Sequence, residues 1–425
     1  MLVQDVLQNS AERFPEKTAL VSDGQRLTYA EVEARANRLA HALITYGVRR
    51  GDRVALCLPN SVEAVLAIFA ILKAAGTFVV VNPTTKRDKL TYILNNCRAT
   101  ALFTSDRNVP LAAKAHAAVP SLQFTVLNGK RATAYVRQGL PTIAAAEKGT
   151  FHAFDDLLAA YPATCPACPA IDQDLACLIY TSGTTGEPKG VMSGHNNVVF
   201  ASGSIIQYLE NIPDDIVINV LPFSFDYGLY QLLMVFRFGG TLVLERSFAY
   251  PAAVLKKMEA ERVTGFPGVP TMFAILLQMD LSSYDLSSLR YLTNTAAALP
   301  PSHIQALRER FPWATLYSMY GQTECKRTLY LPPDQLDRRP GSVGIPIPGT
   351  EVWIEDEEGH RVGPGVIGEL VVRGSHVMRG YWEDPKATAE RYRPGPTPGE
   401  RVLYSDDLFK MDDEGYFYFV ARKDD

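Results

Sequence analysis

The chain is poor in the features that mark exported, membrane-spanning or polyanion-binding proteins. Its opening, Met1-Leu-Val-Gln-Asp-Val-Leu7, has no basic cluster and no sustained apolar run, so it does not read as a secretory leader. The longest apolar stretch, 62–81, is interrupted by Glu63, Lys73 and Gly76. It reads as a buried helix followed by a strand and not as a membrane span. Basic residues are not in excess: 42 Lys and Arg face 46 Asp and Glu, for a formal charge of −4. Such a balance gives no field toward nucleic acid or anionic lipid. Cysteine is scarce, six in 425 residues, which suggests a reducing, cytoplasmic setting. The pair Cys165-Pro-Ala-Cys168 has no second pair and no histidine at zinc spacing. It reads as part of a Pro/Ala-rich connection, not as a metal or redox centre. Low-complexity tracts and repeats of solenoid period are missing as well.

What is present is ordinary in bulk, 47% hydrophobic and 21% charged, and long enough for two or three lobes. An amphipathic opening helix leads to a short strand at 18–22. Thr28 and Glu31 have the spacing of a capping box before a helix whose apolar face is Val32, Ala36, Leu39 and Leu43. Strand and helix alternate through 104 and again over 214–330, the rhythm of wound α/β lobes. Strands are expected at 216–222, 240–245, 265–269, 289–295 and 316–321. Ligands of a wound sheet collect beyond the carboxyl ends of its strands, so the turns at 294–300 and 320–324 are where chemistry is expected. From about 335 glycines crowd and short alternating segments take over, which predicts a small antiparallel β unit. The resulting division is a first α/β lobe over 1–170, a second over 171–334 and a β subdomain over 335–421. Residues 105–170 carry little signal.

Tyr180-Thr-Ser-Gly-Thr-Thr-Gly-Glu-Pro-Lys-Gly-Val-Met192 is the stretch around which the rest is organised. It follows an apolar run at 175–179 that reads as a buried strand, and a helix is expected after it, opening near Val198. Thr181, Ser182, Thr184 and Thr185 bring hydroxyl donors, Gly183 and Gly186 allow close backbone approach, and Lys189 adds charge. Together these make a place to hold an anion, although a polar surface loop has the same composition. The spacing of a Walker A loop is absent.

T-S-G-T-T-G-x-P-K-G also resembles the phosphate-loop signature of the acyl-adenylate-forming enzymes: acyl- and aryl-CoA ligases, peptide-synthetase adenylation domains and luciferases. Further stretches agree in order: Ala296-Ala-Ala-Leu-Pro300, Tyr320-Gly-Gln-Thr-Glu324, Tyr404-Ser-Asp-Asp-Leu408 and Ala421-Arg-Lys-Asp-Asp425. The resemblance implies ATP, Mg²⁺ and CoA as cofactors. Thr181 to Thr185 and Lys189 would hold phosphates, Thr323 the α-phosphate, and Glu324 the metal. Ala296, Ala297 and Ala298 would lie beside the adenine, where the family has glycines at the first two positions. Tyr320 would stack on the base, with Gly321 lining the nucleotide and acid sites. Asp407 would grip the ribose hydroxyls with help from Arg422, and Asp424 would be the hinge. Asp406 stands where glycine is usual, and a like charge beside Asp407 has no evident purpose in sequence.

The same resemblance places the acid pocket at Phe225, Asp226, Tyr227 and Gly268. Asp226 either meets a substrate amine or caps the following helix, and both uses of an aspartate fit. Phe225, Tyr227 and Phe266 are expected to form a flat slot; the resemblance also places Cys325-Lys-Arg-Thr328 at the acid pocket, with exposure of Lys326-Arg327 to bulk water as the alternative. The expected reaction is ATP-dependent activation of a carboxylic acid to acyl-AMP, followed by transfer to CoA or a carrier-protein phosphopantetheine thiol. The acid is expected to be small and aromatic, possibly amino-substituted as in anthranilate. Fatty-acid or amino-acid adenylation and a non-catalytic adenylate-binding module are the alternatives. In the family a smaller domain with a catalytic lysine follows the hinge. The stub at 422–425 therefore reads as the end of a core separated from that domain.

Overall fold

The computed structural model describes residues 1–138, 150–181 and 186–423. The chain divides into two compact units. The first comprises Met1–Asn196 with the short pieces Pro222–Phe225 and Tyr381–Glu383. The second comprises Asn197–Leu221, Asp226–Gly380 and Asp384–Asp425.

The first unit is built on a seven-stranded sheet. Its order across the sheet is Thr150–Ala153, Phe124–Asn128, Ala99–Ser105, Arg53–Cys57, Thr77–Val80, Leu175–Thr181 and Lys189–Gly194. All neighbours are parallel except the last two strands. Strands covered on both faces read as apolar runs, and Arg53–Cys57 and Thr77–Val80 are buried almost throughout. The capping box forms as expected: Thr28 Oγ1 accepts from the Glu31 N–H at 3.2 Å and Glu31 accepts from the Thr28 N–H at 2.8 Å. Helix Val62–Lys73 is buried on nearly every side. Lys73 survives burial because its ammonium reaches Glu33 at 2.7 Å. The weakly patterned stretch 105–170 supplies Phe124–Asn128 and Thr150–Ala153 to the sheet. Such short strands leave too few alternations to detect. All six cysteines are free thiols, Cys165 and Cys168 among them.

The second unit has two sheets. In one, Thr241–Leu244, Ile216–Asn219, Gly265–Gly268, Tyr291–Asn294 and Thr315–Tyr320 lie side by side in parallel. Leu329–Leu331 and Ile345–Pro346 extend it antiparallel. Because the five central strands run the same way, Asn219, Gly268, Asn294 and Tyr320 end at one edge. The other sheet is five-stranded and antiparallel, formed by Glu351–Glu355, Gly368–Arg373, Arg401–Met411, Tyr392–Pro394 and Phe417–Arg422. It corresponds to the glycine-rich alternating segments of the sequence. No helix among the described residues is long and apolar enough to cross a membrane.

His376 is fully buried in the second unit. Its Nδ1 lies 3.4 Å from Thr350 Oγ1, and Nε2 has no partner among the described residues. Burial pushes its pKa down to about 3 from an ordinary 6.5. The folded imidazole therefore stays neutral while the unfolded chain takes up a proton below pH 6.5. This contribution to stability is intact above 6.5 and is lost progressively as pH falls toward 3. His376→Gln should flatten the loss of denaturant stability between pH 7 and pH 5. An unchanged slope would assign the acid lability to other groups.

Candidate functional site

The turn beyond Thr315–Tyr320 and the strand Arg401–Met411 enclose a cavity of about 390 Å³. Ala296, Ala297, Ala298, Tyr320, Gly321, Gln322, Asp407 and Arg422 line it, with Ser318, Met319, Val343 and Phe419 completing the wall. A roomier hollow of about 580 Å³ lies beside Arg373, whose charge is already matched. Arg373 pairs there with Glu351 at 3.0 Å and Glu400 at 2.7 Å.

Asp407 dominates the smaller cavity. Its Oδ2 accepts from the Tyr320 hydroxyl and from Gln322 Nε2, the latter at 2.5 Å. Its Oδ1 is buried and accepts no hydrogen bond from the described residues, with the Arg422 guanidinium 3.6 Å away. Burial raises the carboxyl's pKa, and the bonds from Tyr320 and Gln322 partly offset that. Burial and the neighbouring Asp407 push the Tyr320 phenol well above its ordinary value, so it remains a donor. The Tyr320 ring packs edge-on against Phe409 at 5.0 Å. Gln322 is itself fixed: Arg391 donates to its Oε1 at 2.9 Å, and its Nε2 donates to the Ser405 carbonyl at 2.8 Å.

The unexpected Asp406 now has a place. Its φ is +55°, the left-handed region where glycine is cheapest and aspartate is tolerated. Its carboxylate turns to Arg391 at 3.1 Å, so it is matched by a cation beside Asp407. Ala296 is also left-handed, with φ +76°, a strain of about 1–2 kcal/mol that glycine would not carry. Asn294 holds this turn by donating to the Ala297 carbonyl at 3.1 Å.

Gly321 is obligatory for a different reason. A Cβ there would stand 1.6 Å from the Lys326 carbonyl oxygen, so the turn carrying Thr323 and Glu324 closes only around a hydrogen. Thr323 is half-buried, and Glu324 is buried with its carbonyl accepting from the Met378 N–H at 2.9 Å.

The acid-side residues differ from expectation. Asp226 is the first residue of helix Asp226–Phe238 and is buried. Its Oδ2 lies 3.7 Å from Arg327 Nη1. Lys326 and Arg327 do not face bulk water: both are buried, at 0% and 4% exposure. Cys325, also buried, and the strand at 329–331 draw them inward. The flat slot is not formed by Tyr227 and Phe266, which are core residues. The Tyr227 hydroxyl is bound to Thr293, 2.9 Å from its carbonyl oxygen and 2.6 Å from Oγ1, and Phe266 packs between Phe248 and Phe273. Phe225 is half-buried. Gly268 has the Phe273 ring 2.6 Å from where a Cβ would be.

In the first unit, the hydroxyl-rich loop joins two antiparallel strands, with Thr181 opposite Lys189. The expected direct passage into a helix is corrected: Lys189–Gly194 pairs as a strand first, and the helix opens at His195. Lys189 is exposed and its ammonium sits 5.3 Å above the Tyr381 ring. Thr181 Oγ1 donates to the Lys189 carbonyl at 3.5 Å. His195 Nδ1 accepts the Val3 N–H at 3.0 Å, a structural use. Ser182, Gly183, Thr184, Thr185 and Asp424 lie outside the described residues.

Sequence reasoning passed over Gln322 and Arg391, and left Arg327 between the acid pocket and bulk water. Gln322 sits inside a recognised motif at its variable position. Arg391 ends a short helix, Pro385–Arg391, and carries no local signal. For Arg327 a hint existed in the apolar residues on both sides. Gly321→Ala is expected to destabilise the fold by more than about 3 kcal/mol, since backbone and not a movable side chain meets the new carbon. A melting temperature within a degree of wild type would contradict the contact.

Comparison with known proteins identifies the family. The family model described as "AMP-binding enzyme" matches residues 7–382. The long-chain-fatty-acid–CoA ligase of Bacillus subtilis (strain 168) is 32% identical over 438 residues, covering 100% of this chain and 77% of the ligase. The crystal structure of the anthranilate CoA ligase AuaEII with anthranoyl-AMP superposes with TM-score 0.89 at 28% identity, over 100% of this chain and 78% of that one. That of VinN with L-aspartate gives TM-score 0.82 at 31% identity, over 99% and 98% of the two chains. The chain belongs to the AMP-binding enzyme family, the acyl-adenylate-forming acid–thiol ligases.

Proposed function

We propose that this enzyme activates a small amino-bearing carboxylic acid with ATP, giving acyl-AMP and pyrophosphate, and passes the acyl group to a thiol. The thiol is that of CoA or a carrier-protein phosphopantetheine, and the setting is cytoplasmic. The observation that carries the nucleotide half is the open Oδ1 of Asp407. A buried acceptor without a donor is rare, and a ribose hydroxyl supplies the missing one. Tyr320 then lies against the base, with Ala296 to Ala298 as the opposite wall.

The attacking carboxylate and the triphosphate together carry about five negative charges, so the α-phosphorus must be shielded from repulsion. Thr181, Lys189 and the loop hydroxyls between them are assigned to the phosphates, and Thr323 to the α-phosphate. The described residues contain no group of three or more histidine, cysteine or carboxylate ligands. A single carboxylate, Glu324, suits Mg²⁺, which commonly takes one or two protein carboxylates together with substrate phosphates. Bound there, the ion would neutralise charge on the phosphates as pyrophosphate leaves.

Asp226 supports an amine on the acid. Its carboxylate is buried and accepts no hydrogen bond from the described residues, while its ion pair with Arg327 at 3.7 Å leaves acceptor sites open. The acids in the AuaEII and VinN structures, anthranoyl-AMP and L-aspartate, both carry an amino group. Closure of the flat slot weighs against a large aromatic acid, and a buried carboxylate weighs against a fatty acid.

Glu324→Ala should lower Mg²⁺-dependent ATP–pyrophosphate exchange by at least about a hundredfold. Undiminished exchange would remove Glu324 from the metal role. Asp226→Ala should depress activation of an amino-bearing acid more than that of its deaminated analogue. Equal losses would leave Asp226 a structural partner of Arg327.

A further inference from the structure

Lys326 and Arg327 are two adjacent buried cations, and Arg327 is paired with one buried carboxylate, Asp226. Lys326 is fully buried, with its Nζ bound to the Thr323 carbonyl at 3.2 Å and 5.5 Å from the centre of the Tyr230 ring. A carbonyl dipole and a ring face do not cancel an ammonium charge. Arg327 is 4% exposed. One edge of its guanidinium meets Asp226 at 3.7 Å, its plane lies 4.4 Å from the centre of the Tyr227 ring, and Nε donates to nothing among the described residues. Tyr227 is locked by Thr293, and Gly321 pins the backbone of Lys326, so neither cation is free to swing out to water.

Among the described residues Asp226 is the one carboxylate in an ion pair with either cation. A buried guanidinium with an idle N–H is costly unless an acceptor arrives to take it. If a substrate amine draws on Asp226, Arg327 must share its partner, because Asp226 is the only carboxylate paired with it among the described residues.

We infer that Arg327, with Lys326 beside it, is a specificity-determining residue that receives a second carboxylate on the acid, so that the substrate class is a short amino-dicarboxylic acid. This rests on the adenylation reading above. Asp226 takes the amine, Arg327 takes the distal carboxylate through its planar fork, and the reacting carboxylate is left for the α-phosphorus. The rival use of the two cations, binding a phosphate of the nucleotide, gives a different result in the same experiment.

The test is calorimetric titration of the chain with L-aspartate, L-glutamate, L-asparagine, anthranilate and a medium-chain fatty acid, each beside a titration with AMP. Aspartate or glutamate should bind at least about tenfold more tightly than asparagine, since a site built for a charged group rejects the isostere that lacks it. Arg327→Met should weaken the dicarboxylate by at least about thirtyfold and leave AMP within about twofold, and Arg327→Lys should recover part of the loss. AMP binding and the melting temperature report whether each variant is folded. The inference is overturned if asparagine matches aspartate, if anthranilate or the fatty acid binds best, or if no acid binds while AMP does. Parallel loss of AMP and acid in a folded Arg327→Met assigns the cation to phosphate and likewise overturns it. Failure of AMP itself to bind overturns the adenylation reading instead.

Discussion

The second unit depends on how one carboxylate is held. Asp407 is buried on the strand Arg401–Met411, and only one of its two oxygens is satisfied by the protein. Tyr320 and Gln322 reach it from the end of the strand Thr315–Tyr320 and the turn beyond, so a single side chain ties that turn to the antiparallel sheet. Arg391 completes the arrangement by holding Gln322 from one side and Asp406 from the other. Burial opposes ionisation of Asp407, and the donors around it counter that opposition. What remains is a buried carboxylate oxygen on the cavity wall, with the Arg422 guanidinium 3.6 Å away and no hydrogen bond from the described residues.

Around this point the fold places its functional groups by strand direction. Parallel strands bring Asn294 and Tyr320 to one edge, and the turns beyond them carry the alanine wall and the Thr323–Glu324 pair. The acid side follows the same logic, since Asp226 opens the helix that succeeds the strand Ile216–Asn219. Its environment is decided by charge. Two buried cations, Lys326 and Arg327, lie near it in the fold, and Arg327 is paired with it.

Much of this was legible in the sequence, where motifs carry backbone requirements as well as chemistry. Gly321 must be glycine because a carbonyl occupies the space of its Cβ. Thr28 and Glu31 cap a helix through bonds that three-residue spacing alone predicts. Other features were hidden because they arise from contacts distant in sequence. Arg391 meets Gln322 across 69 positions, and nothing local to either announces the bond. For Lys326-Arg327 the sequence left a pocket and a solvated face both open, because adjacent charges are usually exposed, and only the surrounding fold buries them. Tyr227 and Phe266 looked available to substrate but were consumed by the core. The strand Lys189–Gly194 was missed because glycine at Gly190 and Gly194 obscures its alternation.

The measurement that bears most directly on this account is a calorimetric comparison of AMP with its 2′,3′-dideoxy analogue on the unmodified protein. If the open oxygen of Asp407 receives the ribose, AMP binds and the dideoxy compound binds at least about tenfold more weakly. Equal affinity for the two, or no heat from AMP at all, would contradict it.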